Sequence, residues 1–305
     1  MQAASSTISG ARLSARPFGA SSRQPSTSAR RAQVLVRADS VLIANTKGGG
    51  HAFLGLHLAK KLLNAGHSVT ILNDGDPPLI DHFKGKVKHY VFVGSAGAYE
   101  ANSVEPMHVE GDKRKPSAGH VEVEEYLVRQ DLPYTVFQPL YIYGPHTAKD
   151  CEQWFMDRVL RDRPVPIPGP GIQLTSLSNV EDLAEMMALV PGNPNAVQQH
   201  FNLCSDRCIT FDGIVKAVAA AAGKEAKIVH YDPKAVKLAK GEGFPFRAVH
   251  FFASADKAKR VLGWQPHSNF LKDVNQLVRD YIASGRLDKD IDLSADDKIL
   301  AAVGK

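Results

Sequence analysis

Cysteine is scarce in this chain. Cys151, Cys204 and Cys208 are the three present in 305 residues. An odd, sparse count excludes a framework of paired disulfides and fits a reducing compartment. Cys204 and Cys208 are spaced C-x-x-x-C, without a second pair or a nearby histidine cluster, so the spacing gives little support to a metal or redox site. Long apolar runs are missing too. No stretch reaches the ~18–20 residues needed to cross a bilayer, and a soluble protein without membrane insertion is expected. Acidic residues are missing from one region: the first in the chain is Asp39.

The 38 residues before Asp39 contain eight serines, six arginines (Arg12, Arg16, Arg23, Arg30, Arg31 and Arg37) and no lysine. They also lack the apolar segment of a secretory signal. This is the composition of an organelle transit peptide, and Val36-Arg37-Ala38 resembles the processing site of chloroplast transit peptides. A disordered N-terminal arm is the alternative. Removing six arginines from a net charge of +5 leaves the remainder near about −1. The sequence pI of about 9.0 therefore says little about partners, and nucleic-acid binding would need a local basic patch. Hydrophobic residues make up 44% of the chain, enough for one large or two modest domains.

Beyond Asp39 the residues fall into regular patterns. "SVLIANT" is a branched apolar run of the kind buried in parallel sheets. Gly48-Gly49-Gly50 comes next, then "HAFLGLHLAKKLLNAGH", with Leu54, Leu58, Leu62 and Leu63 at helical spacing and Gly66 as the stop. "SVTIL" is a second strand. Strand, glycine turn, helix and strand form a βαβ nucleotide-binding unit. Gly49, Ala52 and Gly55 give G-x-x-A-x-x-G. Small residues let the backbone approach a phosphate and the helix pack on the strand, so Gly49, Gly50, His51 and Gly55 are candidate phosphate-binding positions. The second strand ends in Asn73, where the acid that holds the ribose of NAD is expected.

From Asn73 to the next strand, in "VKHYVFVGSAGAY" (Val87–Tyr99), only about a dozen residues intervene, too few for more than one crossover. A doubly wound sheet normally places two strand–helix units there. The expected fold is therefore α/β: a Rossmann-like doubly wound parallel sheet, shortened by about two strand–helix units, with a small C-terminal α+β domain. A compact natural variant of the connection is the alternative. The expected division is residues 1–38 as transit peptide, 39–165 as the nucleotide-binding-type domain, 166–290 as the remaining sheet and small domain, and 291–305 as a tail.

Several segments resemble the extended short-chain dehydrogenase/reductase superfamily. They are "VFVGSAGAYE", "FQPLYIYGP" (with Gln138 where arginine is usual), "LSNVEDLAEMM", "FNLCSDRCITFDGIVKAVAAAAGK" and "VLGWQPHSNFLKDV". The superfamily's catalytic Tyr-x-x-x-Lys falls on Pro116 and His120. Proline offers no acid–base group, and histidine has no tyrosine to tune. The resemblance thus implies that NAD(P) is absent or non-catalytic, and an NAD(P)-dependent reductase or epimerase is the less favoured alternative. "NTKGGGHAFLG", "HVEGDKRKPSAGHVEVEEYL", "KDCEQWFMDRVLRDRPVPIPGPGIQLT" and "FPFRAVHFFASADKAKRVLGW" resemble, more narrowly, the chloroplast stem-loop RNA-binding proteins. That resemblance implies RNA binding in the stroma and a divalent-metal-dependent endoribonuclease. It also implies contacts with plastid ribosomes and the transcription machinery, and multimers of like chains. A non-catalytic RNA- or ribosome-associated protein is the alternative.

Mg²⁺ prefers oxygen ligands. Asn45, Asp74 and Asp76 lie at the carboxyl ends of the first two strands, where ligands bind in this fold, and are the candidate catalytic and metal positions. Asp74 and Asp76 also fit a solvated turn. For RNA the candidates are Lys113, Arg114 and Lys115, and Lys234, Lys237, Lys240 and Arg247, the latter group beside Phe244, Phe246 and Phe251 as a stacking surface. A solvated loop and a protein contact are the competing readings. Arg158, Arg161 and Arg163 lie around Pro164, and the nearby Trp154, in an "EQWF" helix, fits a core better than an interface.

Overall fold

A computed structural model describes residues 39–46, 52–75, 85–147, 151–239 and 241–304. β1 (Ser40–Thr46) and β2 (Ser68–Gly75) pair in parallel, Val41 opposite Val69 and Ile43 opposite Ile71. α1 (Ala52–Asn64) joins them. Its Leu54, Leu58 and Leu62 recur every four residues and are buried beside Phe53 and Ala59, one apolar stripe facing the core. Leu63, expected on that stripe, is exposed. Gly66 turns the chain at φ +86°, a value that glycine adopts without strain.

The chain continues through β3 (Tyr90–Val93), β4 (Met107–His108), α2 (Gly119–Arg129), β5 (Tyr134–Pro139) and β6 (Tyr141–Tyr143). Then come α3 (Glu152–Val159), β7 (Val165–Pro168), β8 (Leu174–Thr175), β9 (Leu177–Asn179), α4 (Val180–Ala188) and β10 (Gln199–Leu203). The remainder is β11 (Ile209–Thr210), α5 (Phe211–Ala222), β12 (Ile228–Tyr231), β13 (Phe252–Ala253), α6 (Asp256–Leu262), α7 (Phe270–Ala283) and α8 (Ser294–Ala302). β3, β5 and β10 form a parallel sheet with β5 in the middle. Every residue of β5 is buried, as expected for a strand covered on both faces.

The sheet is in two pieces. Among the described residues, β1–β2 and β3–β5–β10 share no strand pairing. In the doubly wound order 3-2-1-4-5-6, strand 4 lies between strand 1 and strand 5. Here, among the described residues, β1 and β3 have no strand paired between them, which is where a chain short of two strand–helix units would be incomplete. One face of β1–β2, that of Val41, Ile43 and Val69, packs on the main core. The opposite face, with Leu42, Ala44 and Thr70, is exposed.

Two large apolar cores carry the rest, with a smaller cluster of Leu127, Leu132, Tyr134 and Val136 beside them. One gathers α1, β5, α4, β10 and Trp264; the other gathers α3, β7, α5 and α7. The "LSNVEDLAEMM" segment is the joint beside them. Asn179 caps α4 by accepting from the Glu181 amide at 2.8 Å. The carboxylate of Asp182 accepts from the amides of His267 and Ser268, and its backbone carbonyl accepts from the Trp264 indole at 3.1 Å. Residues 291–305, read as a tail, carry α8, and its Asp296, Ile299 and Leu300 are buried. The Arg158 Nη2 donates to Asp296 at 2.8 Å, which gives the buried carboxylate its counter-charge.

Candidate nucleic-acid interface

The carboxyl end of β3 is where the separated segments meet. After Val93 the chain passes Gly94 and Ser95 into a short 3-10 turn at Ala96–Ala98. The Ser95 hydroxyl accepts from the Gly97 amide at 3.1 Å. Residues 113–115 then run antiparallel along this turn. The Glu100 amide donates to the Lys113 carbonyl at 2.9 Å, and the Lys115 amide donates to the Ala98 carbonyl at 2.7 Å. This pairing sets Lys115 Nζ 3.2 Å from the Gly97 carbonyl oxygen. From the other side, Arg247 Nη2 lies 3.5 Å from the same oxygen. A side chain at Gly97 would begin 2.7 Å from that guanidinium, which would have to shift to make room. Arg247 is held by its own amide, which donates to Tyr141 Oη at 2.8 Å, and by the Phe251 ring, 4.5 Å below its charge. Two of the candidate RNA contacts, 132 positions apart in sequence, thus converge on one carbonyl.

The other basic candidates divide. Lys113 is exposed and paired with Glu100 at 3.0 Å. Arg114, expected as a phosphate contact, instead turns inward to Glu124. Glu124 is fully buried in α2, and a buried carboxylate without a cation is costly, so the ion pair takes the arginine. His200 Nδ1 sits 3.5 Å from the same carboxylate. Burial, with the charges of Arg114 and Lys257, pushes the His200 imidazole down to about 4. Lys234 and Lys237 stand exposed in the segment after β12; Lys240 lies outside the described residues. The expected stacking surface is not one. Phe246 and Phe251 are buried, and Phe244 packs edge-on to Trp154 at 5.4 Å and against Phe211 at 4.7 Å. Three aromatic rings spaced along a short segment take the larger hydrophobic gain of joining the core.

Of the phosphate and metal candidates, Asn45 and Asp74 lie at the carboxyl ends of β1 and β2. Ala44 pairs with Leu72 and Thr46 with Gly75, with a shift of register between them. The backbone of Asn45 is therefore set beside that of Asn73 and Asp74. Gly55 is buried in α1. Asp76, Gly49, Gly50 and His51 lie outside the described residues. Among the described residues, no group of three or more His, Cys, Asp or Glu side chains could hold a metal ion.

Pro116 and His120 occupy the expected flank of β3. His120 lies against Gly94 and its ring is 6.4 Å from Phe92; both Pro116 and His120 are exposed. Nearby phenols are engaged elsewhere. The Tyr99 hydroxyl donates to Gln138 at 2.5 Å and lies 2.8 Å from the Asn202 side-chain oxygen, and burial holds its pKa far above the usual phenol range. Tyr143 donates to Asp273 at 2.7 Å, and burial raises its pKa too. Sequence reasoning missed Glu124 and His200. A signal for Glu124 existed: Val121, Glu124 and Leu127 share a helical face, and an acid on an apolar stripe needs a partner.

No family model matches the chain. A curated protein does: the chloroplast stem-loop binding protein of 41 kDa b of Arabidopsis thaliana is 32% identical over 314 residues, covering 83% of this chain and 83% of the relative. The chain belongs to the chloroplast stem-loop binding protein family. Its place is accordingly the chloroplast, in agreement with the composition of the first 38 residues. The match has a further content. It spans 314 positions, yet 83% of 305 residues is about 253, so about 60 positions of the relative have no counterpart here. Solved structures show the fold of this family member to be that of the nucleotide-sugar epimerases. The UDP-glucose 4-epimerase of Thermotoga maritima superposes with TM-score 0.62 at 19% identity, over 80% of this chain and 99% of that one. The epimerase Mth375 of Methanothermobacter thermautotrophicus gives 0.62 at 15% identity, over 83% and 95%. MoeE5, solved with UDP-glucose and NAD, gives 0.61 at 16% identity, over 80% and 99%.

Proposed function

We propose that this protein binds stem-loop RNA in the chloroplast, holding the sugar–phosphate backbone at the carboxyl end of β3. One observation carries the reading: Lys115 and Arg247 converge on the Gly97 carbonyl. A neutral carbonyl is a weaker partner for two cations than a phosphate oxygen. A backbone phosphate that replaces it gains both charges from residues already positioned. Lys113 and, on another loop, Lys234 and Lys237 extend the contact. The relative's name, a stem-loop binding protein, supports the class of ligand. RNA recognition by shape and backbone needs no stacking aromatics, which suits a surface whose phenylalanines are buried. The test is binding of a labelled stem-loop across a salt series. Lys115→Ala and Arg247→Ala should each weaken binding alike for different sequences and lower the slope of log K against log salt by about 1. An unchanged slope in the double variant overturns the assignment.

Cleavage is the finer part of the proposal. It assigns a divalent-metal-dependent endoribonuclease centred on Asn45, Asp74 and Asp76, supported by the placement of Asn45 beside Asn73–Asp74 at two strand ends. Incubating the protein with a labelled stem-loop in Mg²⁺ or EDTA decides it. Cutting that stops in EDTA and in Asp74→Asn/Asp76→Asn supports the reading. RNA left intact in Mg²⁺ leaves a binding protein, for which ribosomes, the transcription machinery and further copies of like chains are the partners to seek. A fluorescence titration with NADPH tests the reductase reading, which Pro116 and His120 disfavour.

A further inference from the structure

We propose that the space between β1 and β3 is a receptor for a strand–helix segment donated by another polypeptide. Three features meet there. β1 pairs with β2 on one edge, and β3 pairs with β5 on one edge, so each presents a second edge with no strand on it among the described residues. A row of unpaired backbone donors and acceptors is a template for strand addition. The apolar side chains beside these edges are bare: Leu42 is 40% exposed and Val91 42%. Parallel strands are normally buried on both faces, and among the described residues no helix layer covers the Leu42–Ala44–Thr70 face. Finally, the two pieces hold a common frame without pairing to each other. α1 packs on α4, where His57 Nδ1 meets Glu181 Oε1 at 2.5 Å and Lys61 lies 3.2 Å from the same carboxylate. The epimerase superposition extends over 99% of that chain. The frame is therefore set before the missing layer arrives.

The occupant is fixed by this geometry. A strand that bonds to β1 and β3 together must run parallel to both, and must be apolar on both faces. A helix after it would cover Leu42 and Thr70. This is the chemistry of the two strand–helix units expected between β2 and β3, and the relative carries about 60 positions that this chain lacks. The donor is thus a polypeptide carrying that kind of segment. A second copy of this chain cannot supply it.

The probe is the segment of the Arabidopsis thaliana relative that has no counterpart here, made as a separate polypeptide and added to the full chain. Amide hydrogen exchange is the readout. Backbone amides of β1 and β3 left free by the β2 and β5 ladders should exchange at least about tenfold more slowly with the segment present. The same segment with prolines at alternate strand positions, which cannot donate to a ladder, should have no effect. Exchange that is equal with either segment, or equal to that of the chain alone, overturns the proposal. So does protection that rises with protein concentration without any segment, which would assign the edges to pairing between copies.

Discussion

β1 and β5 are both parallel strands in one molecule, and their surroundings differ. β5 is buried along its whole length and has a neighbour on each edge. Among the described residues β1 has one neighbour, and one of its faces meets solvent. The same contrast holds for charge. In the C-terminal half, carboxylates such as Asp157 and Asp296 are buried with arginines against them. At β1–β2 the described partners of α1 are surface pairs such as Lys61 with Glu181, on a half-exposed carboxylate, and such pairs contribute little. Local pairing makes both strands; the layers above and below make one of them firm.

The contrast can be broken most sharply by cutting equivalent apolar groups on either side. Phe137→Ala, in the middle of β5, should lower stability by about 3–5 kcal/mol in urea unfolding, and Phe246→Ala by a similar amount, since both leave cavities in packed cores. In the Phe246→Ala variant RNA binding at temperatures below its unfolding should keep its salt slope. A retained midpoint in Phe137→Ala would mean that the core shared with α1 is no tighter than the β1–β2 layer, and one in Phe246→Ala would mean the same of the C-terminal core.

A smaller effect comes from the histidine buried with Arg114 and Glu124. The His200 imidazole is lowered from 6.5 to about 4 by burial and by the charges of Arg114 and Lys257. The unfolded chain takes up a proton there as pH falls through 6.5, and the folded chain does so only near 4. Stability is therefore complete above about 6.5 and declines toward pH 4, by a ceiling of about 3 kcal/mol. His200→Gln should flatten that part of the pH–stability curve. A curve of unchanged slope would remove this group from the account.

The smallest effect is expected where the layers are missing. Leu42→Ala should change stability by less than about 0.5 kcal/mol, since the side chain is exposed. A loss of several kcal/mol would show that this face is covered in solution, and so sharpen the search for what covers it.

Much of this was legible in the residues. The leucine stripe of α1, the alternation of strands and helices, and the short path from Asn73 to Val87 all have local signatures. The path length alone located the break in the sheet. The fates of Arg114 and Phe244–Phe251 were not legible. The partner that takes Arg114 inward is chosen by burial of Glu124 in a helix whose inner face only the fold reveals. The rings of Phe244 and Phe246 join Trp154 and Phe155, about 90 positions earlier. The docking of α8 likewise depends on Arg158 meeting Asp296 across 138 positions. Charged and aromatic residues in loops have no periodicity that would say which way they face.

The chain has two tryptophans, and the two cores take one each. Trp264 lies in the core that α1 shares, and Trp154 lies in the C-terminal core beneath the Arg158 guanidinium, 3.6 Å from its ring. Each indole is a built-in optical reporter for its own half. Replacing one by phenylalanine would leave an emission spectrum that tracks a single core, so that loosening of the open sheet and melting of the closed one could be watched separately in the same sample.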